Sequence, residues 1–158
     1  MNWQAQSERW QTPPQIFDPL MREFSFDLDA AADPQTARVP RFLSNALDSE
    51  EWPGERIWMN PPYGRKLESF VRRAAWEHQR YPNKTIVALI PFRCRASWWH
   101  ECVIGKAQEV RCVRKRIRFV RLDGTPGRST GSCDSCLVIW QGKAKRTVLV
   151  SWNPAKVY

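Results

Sequence analysis

The chain has 158 residues, 42% of them hydrophobic, which suits about one domain with a real core. No apolar run approaches the roughly 18 residues of a membrane span, and no cationic segment followed by an apolar one opens the chain. Five cysteines in that setting read as reduced thiols, so the composition points to a cytoplasmic protein with a net charge of +9.

Thr12-Pro13-Pro14-Gln15 predicts a helix start, with the Thr12 hydroxyl as cap, Pro13 at the first helical position and Gln15 three residues after the cap. Ile16, Phe17, Leu20 and Met21 then share one helical face. Phe24, Phe26 and Leu28 alternate before Asp29 and predict a short strand, followed by an irregular stretch over residues 33–55. Arg56 to Met59 reads as a buried strand that stops at Asn60-Pro61-Pro62, because two prolines cannot continue a central ladder. Leu67, Phe70, Val71, Ala74, Ala75 and His78 mark an amphipathic helix, with His78 as a satisfied core residue. The continuous apolar run Thr85 to Pro91 predicts a parallel strand covered on both faces. A short helix over residues 97–104 and three β-rich segments, 109–121, 136–141 and 146–152, complete the chain. Alternating strands and helices with a β-rich end imply an α/β fold with a largely parallel sheet.

Asn60-Pro61-Pro62-Tyr63 follows a predicted strand and precedes Gly64 and a helix, the place where open α/β sheets bind ligands. By itself Asn-Pro-Pro is also a strand-ending turn. The chemistry that suits the motif is methyl transfer to a planar amino nitrogen, whose lone pair is delocalised into its ring. The Asn60 side-chain oxygen and the Pro61 carbonyl would hold both amino hydrogens and favour a tetrahedral nitrogen aimed at a methyl group. Tyr63 would stack on a base that has left its duplex.

At these residues the chain resembles the small phage-type Dam DNA adenine methyltransferases. The likeness covers roughly residues 10–141, and its pieces come in order. They are Trp10-x-Thr12-Pro13, the segment Phe26 to Asp33, Asn45-Ala-Leu, Trp52, the motif itself, residues 85–93, and Arg116 to Phe119. The resemblance implies a Rossmann-like methyltransferase sheet and S-adenosylmethionine as cofactor. It places Trp10, Thr12 and Pro13 at the methionine part, Asp27 and Asp29 at the amino group or ribose, and Asn45 or Asp48 near the cofactor adenine. Asn60 to Tyr63 would form the catalytic pocket, and Phe119 would give a flipped base its second stacking face. Ala30-Ala31-Ala32 stands where methyltransferases usually carry a glycine-rich turn. Asp27 and Asp29 therefore match either the first or the second acidic element of such sites.

Charge supports the same division. Residues 1–60 hold 5 Lys/Arg and 10 Asp/Glu, or −5, while residues 61–158 hold 20 and 6, or +14. One catalytic domain over residues 1–158 follows, with 1–60 mainly for cofactor and 61–158 mainly facing double-stranded DNA. Arg65, Arg114, Lys115, Arg116, Arg118, Arg121 and Arg128 are the phosphate candidates, joined by Arg111 in the same cluster. Cys133-x-x-Cys136 lacks a second ligand pair, so no metal is expected. Cytosine C5 chemistry needs a nucleophilic cysteine, typically after proline, and no proline here precedes a cysteine. Asn at position 60 leans towards adenine N6. Cytosine N4, an RNA base and an inactive DNA-binding module stay as alternatives, and the chain reads equally as monomer or homodimer.

Overall fold

A computed structural model describes residues 10–127 and 134–155. In chain order the elements are α1 (Pro14–Phe24), β1 (Leu28–Asp29), β2 (Arg56–Met59), α2 (Leu67–Arg80) and β3 (Thr85–Pro91), then α3 (Ser97–Cys102), β4 (Glu109–Val113), β5 (Ser135–Trp140) and β6 (Val148–Trp152). The strands form one mixed α/β sheet in the order β1-β2-β3-β5-β4-β6. β1, β2 and β3 pair in parallel, as do β4 and β6, while β5 runs antiparallel to both its neighbours. The sheet is thus mostly parallel, and its reversed strand lies in the β-rich end.

β3 is buried at all seven positions because its alternate side chains enter two cores. Ile86, Ala88 and Ile90 join Ile57, Met59 and the α2 residues Leu67, Phe70, Val71 and Ala74 on one face. Val87 and Leu89 join Trp58, Leu137 and the α1 residues Ile16, Phe17 and Leu20 on the other. Helices therefore cover both sides, as a parallel sheet requires. The carboxyl ends of β1, β2, β3, β4 and β6 all meet at one edge, where β5 begins.

Three local expectations change. First, α1 starts at Pro14, with Pro13 in the cap position and no side-chain cap bond. Pro14, not Pro13, takes the first helical position, where a missing N–H is harmless. Second, the strand predicted from Phe24 is shorter. α1 runs to Phe24, Ser25 closes it with φ 52°, and the ladder spans only Leu28–Asp29. Phe24 and Phe26 stack at 5.7 Å, and Phe26 also packs on Phe17 and Trp58, so a helix end and turn satisfy these rings as well as a strand would. Third, β4 ends at Val113, and the basic segment after it runs outside the ladder.

The irregular stretch before β2 is held by a buried ionic cluster. Glu77 on α2 is fully buried, and its Oε1 accepts the Trp52 backbone N–H at 3.0 Å and Lys84 Nζ at 2.9 Å. Its Oε2 accepts Arg73 Nη2 at 2.9 Å. Lys84 also donates to Glu51 Oε1 at 2.7 Å and the Trp52 carbonyl at 2.6 Å, and Trp52 Nε1 donates to the Ala46 carbonyl at 2.9 Å. His78 is the satisfied core residue expected, with its ring nitrogens 2.9 Å from the Lys84 carbonyl and 2.8 Å from the Gly142 carbonyl.

Candidate active site

A cavity of about 670 Å³ opens at the carboxyl ends of β1 and β2. It gathers residues far apart in sequence: Trp10, Thr12, Asp29, Asn45, Asp48, Asn60 to Tyr63, and Phe119. Pro13 and Asp27 are not in its lining. The Pro13 carbonyl instead accepts the N–H groups of Ile16 and Phe17 in the first turn of α1. Asp27 Oδ1 accepts the N–H groups of Glu55 and Arg56, each at 3.1 Å, and Oδ2 lies 3.6 Å from Arg56 Nη2. Asp27 thereby fixes the start of β2. The fit also needs Gly54, where a Cβ would come within 2.6 Å of Leu28 Cβ and 2.8 Å of Asp27 Oδ1.

Asp29 ends β1 and is 2% exposed. Its Oδ1 accepts the Ala31 N–H at 3.3 Å and its Oδ2 the Arg38 N–H at 3.0 Å, so the carboxylate organises the alanine turn. Burial pushes its carboxyl up to about 6, against the two backbone N–H groups and the Arg38 charge. Asp33 and Arg38 line the same cavity and were not singled out by sequence. Asp33 Oδ1 accepts the N–H groups of Gln35 and Thr36. The Arg38 guanidinium lies 4.7 Å over the Phe17 ring and 3.8 Å from Asp18 Oδ1. Two polar residues in a turn-rich stretch carry no periodic signal, which is why sequence passed over them.

Two prolines end β2 and turn the chain outward at Asn60. Asn60 Nδ2 donates to Thr12 Oγ1 at 3.0 Å. Thr12 is 1% exposed, and its hydroxyl is engaged by Asn60 and does not cap α1. Tyr63 meets Phe119 edge-on, with ring centroids 5.7 Å apart and planes at 85°. Phe119 lies on a hairpin that pairs with the chain before α1: Gln11 and Val120 exchange backbone bonds at 2.9 and 3.1 Å. Gly127 N–H donates to the Phe119 carbonyl, and Gly124 turns the hairpin with φ 80°. Residues 10–12 and Phe119 of this hairpin all line the cavity.

Arg65, Arg114, Lys115, Arg116, Arg118 and Arg121 are all exposed, while Ile117 between them is buried and anchors the segment. The segment follows β4, so it leaves the sheet at the same edge as Asn60. Arg93 and Arg95, exposed just after β3, add two cations there that sequence reasoning missed. Arg111 does not belong with them. It makes two bonds to the Glu23 carboxylate at 2.7 Å each and one to Glu109 at 2.6 Å. Arg128 and Cys133 lie outside the described residues. Cys136 is buried in β5, and burial pushes its thiol up. No helix among the described residues is long and apolar enough to cross a membrane.

The sequence model of the family described as DNA N-6-adenine-methyltransferase (Dam) matches residues 2–157. The chain belongs to this family. A relative from Haemophilus phage HP1 (strain HP1c1), named DNA N-6-adenine-methyltransferase, is 30% identical over 145 residues, which cover 89% of this chain and 82% of that protein. Membership makes the chain a DNA methyltransferase of the adenine-N6 kind, as the motif at Asn60 implied. In this Dam-family chain, Asp29, Asp33 and Asp48 give the cavity an acidic lining against Arg38 and Lys66. The exposed cations after β3 and β4 lie at the same edge of the sheet.

Proposed function

We propose that this Dam-family protein transfers a methyl group from S-adenosylmethionine to N6 of adenine in double-stranded DNA, with the adenine flipped into the Asn60–Tyr63 pocket. The observation that carries the reading is the convergence of that motif and three carboxylate side chains on one cavity. A volume of about 670 Å³ suits a ligand of this size, and an acidic lining suits one that is cationic at sulfur and at its amino group. Trp10, Asp29, Asn45 and Asp48 are the residues that would hold it, while the Thr12 hydroxyl is engaged by Asn60. When bound, S-adenosylmethionine supplies a methyl group activated by the positive sulfur. The sheet is then of the Rossmann-like methyltransferase type, with the first 60 residues mainly for cofactor and the rest mainly for DNA.

The protein's own part is placement. Asn60 Oδ1 and the Pro61 carbonyl accept the two amino hydrogens, which draws the nitrogen lone pair out of the ring plane and aims it in line at the methyl group. No metal and no covalent enzyme intermediate enter this account. Tyr63 stacks on the base. Tyr63 and Phe119 stand edge-on, so stacking of a base between the two rings would require one of them to turn. The exposed Arg and Lys residues neutralise phosphates on either side.

Asn60→Ala tests the assignment. It is expected to abolish methyl transfer, while the cofactor Kd measured by calorimetry changes less than threefold. Wild-type turnover in the variant would remove Asn60 from the reaction.

A further inference from the structure

The mechanism needs Asn60 in one of two amide orientations, and nothing in the motif itself selects it. Torsion about the terminal sp³–sp² bond of asparagine is broad and roughly two-fold. A substrate amino group offers two hydrogens, and its lone pair has to stay free for the methyl group. The Asn60 oxygen must therefore face the base, and Nδ2 is turned away from it. Asn60 is half-buried, and an N–H shielded from water is costly without an acceptor, so an acceptor beside Nδ2 favours this orientation.

Thr12 Oγ1 is that acceptor, 3.0 Å from Nδ2 and at 1% exposure. It is itself held tightly. Gln11, one residue before, exchanges two backbone bonds with Val120 and donates from Nε2 to the Gln35 carbonyl at 2.7 Å. Pro13, one residue after, sits in the cap position of α1. These neighbours hold Thr12 Oγ1 at a fixed place beside the Asn60 side chain. We infer that Thr12 is a positioning residue for the methyl-transfer step, tethering the Asn60 carboxamide through Nδ2 so that Oδ1 is left for the base. The inference rests on the proposed role of Asn60. It differs from a cofactor contact by Thr12, which would act on cofactor affinity and leave the saturated rate alone.

The test compares wild type with Thr12→Val, which keeps the shape and removes the acceptor, and Thr12→Ser, which keeps the acceptor. Single-turnover transfer to double-stranded DNA, cofactor Kd, DNA Kd and Tm are measured for each. Thr12→Val should lose about 10- to 100-fold in the saturated rate, the scale of a misplaced reacting group. Its cofactor and DNA Kd should stay within threefold of wild type, and Thr12→Ser should recover most of the rate. Should Thr12→Val fail to fold, Thr12→Ala carries the same comparison against Thr12→Ser. A rate in Thr12→Val equal to wild type would overturn the inference. So would a rise in cofactor Kd with the saturated rate unchanged. If wild-type protein forms no N6-methyladenine, the proposed function fails instead, a result separate from either.

Discussion

Asp29 couples a buried carboxyl to the acidic side of the cavity, and its charge state is the most pH-sensitive feature of the site. Burial raises it from 3.8 to about 6 in the folded chain. A carboxyl raised on folding stabilises the fold fully below its unfolded value. That contribution, about 3 kcal/mol for this gap, is lost as pH rises through 6. Binding has the opposite sign, because the neutral acid cannot pair with a cationic ligand. Cofactor Kd should weaken about tenfold between pH 7 and pH 5, and Asp29→Asn should flatten the profile. Calorimetry across that range checks this, and a flat wild-type profile would mean that Asp29 does not ionise on binding. At this scale sequence was an uneven guide. The motif at Asn60 was legible because two prolines must end a strand. Thr12 was misread because its neighbours offer a complete helix start, whereas its partner lies 48 residues away. Asp27 and Asp29 look alike in sequence, and only the register of β1 sends one to a backbone turn beside the cavity and the other to the start of β2.

Among elements, the contact of α2 with the stretch before β2 decides whether the cavity has a second wall. That stretch carries Asn45 and Asp48 and holds no regular ladder, so its anchor is the cluster of Glu77, Lys84 and Trp52. Glu77→Ala would leave Lys84 buried with one carboxylate fewer, a loss of about 3–5 kcal/mol. The expected result is a lower denaturant midpoint together with weaker cofactor binding; an unchanged midpoint would show that the cluster does not hold the wall. The period of α2 and the apolar run of β3 were legible because burial repeats every three to four residues in one and at every residue in the other. Glu77 escaped notice, although it follows Phe70 by two turns on the same stripe, because a lone glutamate ordinarily faces water. The hairpin at Phe119 was legible only as an alternation of cations and apolar residues. Its partner, Gln11, is more than 100 positions away. Arg116 on that segment is exposed and expected to touch phosphate, so Arg116→Ala should lower the salt slope of DNA binding by about one. An unchanged slope would place Arg116 off the duplex.

Across the whole molecule, the split between −5 and +14 acquires a spatial meaning. The acidic residues of the first 60 positions supply Asp29, Asp33 and Asp48 to the cavity. The later cations gather beside it because β2, β3 and β4 run in one direction and release their chains at one edge. Two substrates of opposite charge would then meet at Asn60, where the acidic part of the chain ends. The most direct measurement supplies the protein with cofactor carrying a labelled methyl group and unmethylated double-stranded DNA at low salt, then digests the product to nucleosides. Label is expected in N6-methyldeoxyadenosine, and none when Asn60→Ala replaces the wild type. Folded wild-type protein that leaves adenine unlabelled, or places the label on cytosine, would contradict it.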